Sequence, residues 1–189
     1  MTPVERRTLL TAAVLYALCP LFIWSATSGH AWRYLLDSPL DGQFAYLLSK
    51  LFGLYAVFAL ALQTVLGLFG LPSRARKGLK YHGFLGSASL GLVSAHVAAF
   101  FIATWQRNQA VPADLLIPAF DSGYYKSMLS IGLLAFGLMV LTYVAAIARG
   151  TWARTLWITM HRLGVVGVAL GFWHALTIGS ETRLPGVFV

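Results

Sequence analysis

Cysteine is almost missing from this chain: Cys19 is the only one in 189 residues. One thiol excludes an internal disulfide, a C-x-x-C-H covalent haem attachment and a cysteine-ligated iron–sulfur cluster. Charge is scarce as well, at 11% of residues, with six acids against fourteen bases. Beside 58% hydrophobic residues and a mean hydropathy of +0.73, so thin a polar complement excludes an ordinary soluble domain. No G-x-G-x-x-G run occurs, so the dinucleotide-binding fingerprint is lacking. Neither an internal repeat nor a low-complexity tract is visible. The net charge of +8 would suit nucleic acid, but the bases gather in short segments beside apolar runs. In a membrane protein that pattern reports topology and contact with anionic lipid. No nucleic-acid partner is expected.

What the chain does have is long apolar blocks, read as five membrane spans at 9–26, 46–71, 81–105, 126–149 and 156–178. Together they predict an all-α integral membrane bundle forming one domain over 1–189. The first block is long enough to span, and no small-x-small cleavage site follows it, so it reads as a helix rather than a secretory leader. Two connecting segments carry turn-forming residues: His30, Trp32, Arg33, Asp37, Pro39 and Asp41 in one, Arg107, Pro112, Asp114, Pro118 and Asp121 in the other. Arg6, Arg7, Arg74, Arg76, Lys77, Lys80, Arg149, Arg154 and Arg162 fall on one side. Arg33, Lys50, Arg107, Lys126 and Arg183 fall on the other, with five of the six acids. Nine bases against five predict a cytoplasmic N-terminus and an outer C-terminus, the membrane being a bacterial inner membrane.

Four of the five histidines lie inside these spans, where an ionisable side chain is expensive and so marks function. His82 and His96 are 14 residues apart on the third span; His161 and His174 are 13 apart on the fifth. Both spans are odd-numbered and run the same way. The separations, about 21 and about 20 Å along a helix, then make two levels, His82 with His161 and His96 with His174. Such levels suit two stacked haems with iron ligated by histidine on both sides, a state fitted to electron transfer. Fourteen residues return to within about 40° of one face, but thirteen leave His174 some 140° off on a straight helix. Supercoiling, a π-bulge or a bend near Gly164, Gly167 or Gly171 has to absorb that difference, unless the two haems are rotated relative to each other. Gly83, Gly86 and Gly91 with Gly164, Gly167 and Gly171 would let a flat macrocycle approach, or would simply serve close helix packing. Lys80, Arg154 and Arg162 are candidate partners for haem propionates, or follow the positive-inside bias. His30, in a connecting segment, reads as a solvated surface residue.

Two stretches carry a resemblance. His82-Gly-Phe-Leu85-Gly86 with His96 fourteen on, and His161-Arg162-Leu163 with His174 thirteen on, resemble the ferric-reductase-like transmembrane domain family. That haem core is shared by ferric reductases, NADPH oxidases and the haem subunit of a bacterial methionine sulfoxide reductase system. The resemblance implies that all four histidines are axial ligands of two haems b, paired as above. It also makes the 13-residue interval ordinary, because the family shows it. Members usually have a sixth helix, and the oxidases and ferric reductases add a flavin and nicotinamide domain, neither of which is read here.

The expected function is therefore a bis-haem b cytochrome carrying electrons across the bilayer, an electron-transfer component of an oxidoreductase system rather than a complete enzyme. Its donor would be a separate flavoprotein or quinol, with a flavin or quinone as a further cofactor; the basic face suits an acidic redox partner. Its acceptor would be an outer-side protein, ferric iron or another subunit of a redox complex. Trp32, Arg33, Trp105 and Arg107 are where the acceptor would bind, although the tryptophans also fit an interfacial belt. A larger quinol-oxidising cytochrome b is a related reading, usually with both intervals at 14. The alternative from another class is a non-catalytic or pigment-binding subunit of a photosynthetic or respiratory assembly.

Overall fold

A computed structural model describes residues 2–29, 31–37, 41–68 and 76–179, with the side chains of Trp32, Leu35, Leu68 and residues 76–80 left aside. His30, Pro39 and Arg183 lie outside the described residues. The chain is all-helical: α1 (Pro3–Ser28), the short α2 (Ala31–Asp37), α3 (Gln43–Leu68), α4 (Arg76–Asn108), α5 (Tyr124–Ile147) and α6 (Arg154–Ile178), with 3₁₀ turns at Ala113–Leu116 and Ala148–Gly150. Five of these helices are long and apolar enough to cross a membrane, so this is an integral membrane protein. The five spans fall where the apolar blocks do, with ends shifted by a few residues. The segment after α1 is not wholly a loop, since α2 occupies part of it. Bulky apolar side chains face outward, Phe84 70% and Val165 73% exposed, as lipid rather than water is their solvent.

Local chemistry sets the helix ends. Thr2 caps α1: its hydroxyl accepts from the Glu5 N–H at 3.2 Å while the Glu5 carboxylate accepts from the Thr2 N–H at 2.8 Å. This reciprocal capping box, with Pro3 at the first helical position, satisfies donors that the first turn would otherwise orphan. Before α3, Gly42 sits at φ +79°, and a Cβ there would strike the Ala103 carbonyl of α4, so only glycine lets the chain turn in so close.

Two antiparallel hairpins dominate, α3 with α4 and α5 with α6, and each packs far more closely within itself than against the other. Trp24 anchors α1 to α3 in a small core with Ala31, Leu47 and Leu54. Its indole N–H donates to the Leu47 carbonyl at 2.6 Å. Ser130 ties the α4–α5 connection down, accepting from the Ala119 N–H at 2.8 Å and donating to the Lys126 carbonyl at 2.9 Å.

Candidate functional site: two histidine pairs between the hairpins

The four intramembrane histidines meet as two pairs, and each pair takes one ring from each hairpin. His82 of α4 faces His161 of α6 with ring centroids 6.1 Å apart and planes inclined 69°. His96 of α4 faces His174 of α6 at 6.4 Å and 72°. No π-helical segment interrupts α6, which is α-helical throughout Arg154–Ile178. The 13-residue interval is therefore accommodated without a π-bulge.

Partners on the first helix of each hairpin hold the His96–His174 pair. The His96 ring Nδ1 is 2.8 Å from the Ser49 carbonyl of α3, and the His174 Nδ1 is 2.8 Å from the Met128 carbonyl of α5. A carbonyl can only accept, so each Nδ1 carries the proton and each Nε2 keeps a free lone pair. Ser49 adds its hydroxyl, which donates to the His96 carbonyl at 3.0 Å. Four residues beyond each bracing carbonyl stands a glycine against the ring. A Cβ on Gly53 would lie 3.0 Å from His96 Nδ1, and one on Gly132 would lie 2.6 Å from His174 Nδ1.

The hairpins repeat this pattern at their other ends. Ten residues on from Gly53, Gln63 packs on Gly86; ten residues on from Gly132, Thr142 packs on Gly164. Gly86 and Gly164 each stand ten residues before the distal histidine of their own helix. This is a two-fold repetition of contacts with no repeat of sequence, because the bracing groups are backbone carbonyls and the shared residues are only glycine and histidine.

An apolar cavity opens between the hairpins at the His96–His174 level. Gly53, Val57, Val97, Phe100, Gly132, Phe136, Gly171 and Phe172 line it, and Tyr46, Lys50 and Tyr125 form its polar end. The Tyr46 ring has two cations over it, Lys50 Nζ at 5.4 Å and the Arg107 guanidinium at 4.9 Å. Around the His82–His161 level the setting differs. Trp157 stacks on the His161 ring at 5.7 Å and 19°, with Arg149 over the indole at 4.9 Å. The His161 Nδ1 and the Trp157 Nε1 are buried without a hydrogen-bond partner among the described residues.

Other expected residues fare unevenly. Arg162 and Arg154 are exposed on α6, and Lys80 lies on α4 with its side chain outside the described set. Of the six glycines singled out in the sequence, Gly171 lines the cavity and Gly83 and Gly91 face open space. Gly164 and Gly167 serve packing of α6 against Thr142 and Leu138, as Gly86 does against Gln63. Gly53 and Gly132, the two that touch histidine rings, carry no signal that marks them among eighteen glycines. Among the described residues no cluster of three or more His, Cys, Asp or Glu could hold a bare metal ion. The chain matches no family model, no curated protein and no solved structure.

Proposed function

We propose that this chain is a membrane cytochrome holding two haems b and carrying electrons across the bilayer. The observation that carries this reading is the spacing of the histidine rings, 6.1 and 6.4 Å between centroids. A metal–imidazole bond is about 2 Å and the ring centre lies about 1.2 Å behind the nitrogen, so two imidazoles on opposite sides of one metal have centroids about 6 Å apart. Ordinary edge-to-face contact spans about 4.5–7 Å between centroids and includes this spacing, so what favours a shared ligand is its recurrence at two levels, each with one ring from either hairpin. Two histidines alone underfill a bare metal ion, which ordinarily takes more protein ligands. A macrocycle supplying four in-plane nitrogens completes the set.

The residues fit that group in three further respects. The Nδ1 protons of His96 and His174 rest on carbonyls, the arrangement that aims Nε2 at a metal and raises its basicity. The cavity beside them is apolar and walled by glycine and phenylalanine, suited to a flat porphyrin. Lys50, Tyr46 and Tyr125 at its polar end supply the cation and hydroxyls that carboxylate side groups require. His82 with His161 would hold the second haem, with Arg162 and Lys80 the expected partners of its carboxylates. A haem held by two of these histidines would supply one-electron chemistry. The protein's part is to fix the rings, exclude water and set the two levels at about 20 Å along the helices.

The ferric-reductase-like resemblance agrees with this reading, as does the basic bias of one side, which implies a cytoplasmic N-terminus in a bacterial inner membrane. The donor would be a separate flavoprotein or quinol, and the acceptor an outer protein, ferric iron or a neighbouring redox subunit. Purified protein should give a reduced-minus-oxidised spectrum with a sharp α-band corresponding to about two b-haems per chain, halved by replacing either member of one pair. A featureless spectrum would overturn the proposal. A bacteriochlorophyll spectrum would favour the pigment-binding alternative, although such a pigment needs one histidine per magnesium rather than two.

A further inference from the structure

Resting on the bis-haem reading, we propose that the two levels are unequal by construction. The His96–His174 level fills first and holds its haem at the lower reduction potential; the His82–His161 level is looser and higher in potential, so an outward electron climbs between them and is drawn on by the acceptor. The asymmetry lies in what stands behind each ring. Both His96 and His174 donate Nδ1–H to a backbone carbonyl at 2.8 Å, and both are backed by a glycine, Gly132 so close that a Cβ would collide with the His174 ring and Gly53 close enough that one would press on His96. Tautomer, plane and depth are thus fixed before any ligand arrives, and a preorganised site binds with less ordering cost. A donated Nδ1–H also makes Nε2 more basic, and a more basic axial ligand stabilises ferric iron, lowering the potential.

On the other level the His161 Nδ1 is buried with no acceptor among the described residues. Its ring is held instead by face contact with Trp157 at 5.7 Å and 19°. Stacking fixes a plane but neither the tautomer nor the basicity. The nearby cations do not reverse the order. Cations stand at both levels, Lys50 and Arg107 about Tyr46 at the first cavity and Arg149 behind Trp157 with Arg162 on the same helix at the second, and positive charge near the second raises its potential further. Trp157 is then a positioning residue for His161, acting through it rather than on the iron.

The test is stepwise addition of haem b to the purified, haem-depleted full chain, followed by spectroelectrochemical titration. Two resolved one-electron waves are expected, the lower filling with the first equivalent. Gly132→Ala should cut haem content by about half and remove the lower wave, leaving the upper in place. Trp157→Leu should move or abolish only the upper wave, and Trp157→Phe, which can still stack, should restore it. Because the Trp157 pair leaves the braced level untouched, it decides the question even if Gly132→Ala fails to fold. A single unresolved wave from two haems overturns the inequality, as does loss of the upper wave in Gly132→Ala. Failure to take up any haem overturns the bis-haem reading itself, a distinct outcome.

Discussion

Gly53 and Gly132 are the residues at which a single methyl group would press on a histidine ring. A Cβ on either would enter the space of a histidine ring, at 3.0 and 2.6 Å from the nearest nitrogen. Overpacking of this kind costs about 1–3 kcal/mol. Gly53→Ala should therefore lower the thermal unfolding midpoint in detergent, whereas Gly137→Ala, where nothing lies within 4 Å, should leave it unchanged or raise it by removing a flexible helical residue. Equal effects at the two positions would show that the ring contact is not tight. The histidines and their intervals were legible because ionisable side chains stand out in apolar runs. Their braces were not, because a carbonyl has no letter of its own.

At the scale of elements, α1 is separable from the histidine pairs. It meets α3 through Trp24 and through the Tyr16 hydroxyl, which donates to the Phe58 carbonyl at 2.5 Å, and it contributes nothing to the cavity wall. Trp24→Ala should cost about 3–5 kcal/mol of stability while leaving the haem spectrum unaltered; a lost α-band would tie α1 to the site. The α5–α6 crossing behaves oppositely. A side chain at Gly164 would meet Thr142 Cγ2 at 2.8 Å, in the same turn of α6 as His161. Gly164→Leu should push the helices apart there and disturb the His82–His161 level first, seen as loss of the upper wave before the lower. The two-fold repetition of the hairpins could not be read from the chain, since its matching positions pair Ser49 with Met128 and Gln63 with Thr142.

For the whole molecule, the histidine pairs are where a ligand shared between them would brace the two hairpins. The two hairpins touch each other sparingly, and both pairs span the gap between them. A ligand that binds only the folded state stabilises it by mass action, about 4 kcal/mol at a thousandfold excess over Kd. Protein made under haem limitation should unfold at a lower temperature than the loaded form, with its hairpins separating in two steps; identical melting of both forms would mean that nothing bridges them.

Composition and hydrophobic length by themselves determined an all-helical membrane protein of five spans, because burying backbone in lipid leaves a chain of this kind few other choices. Histidine spacing determined the two levels, because helical rise is fixed. Tertiary structure alone decided that the rings come within about 6 Å of each other in pairs across the hairpins. It also decided that Ser49 and Met128 lend carbonyls to one level, and that His161 leans on Trp157 at the other. These are contacts between helices far apart in sequence, and they depend on crossing geometry and backbone groups that residue identity does not record.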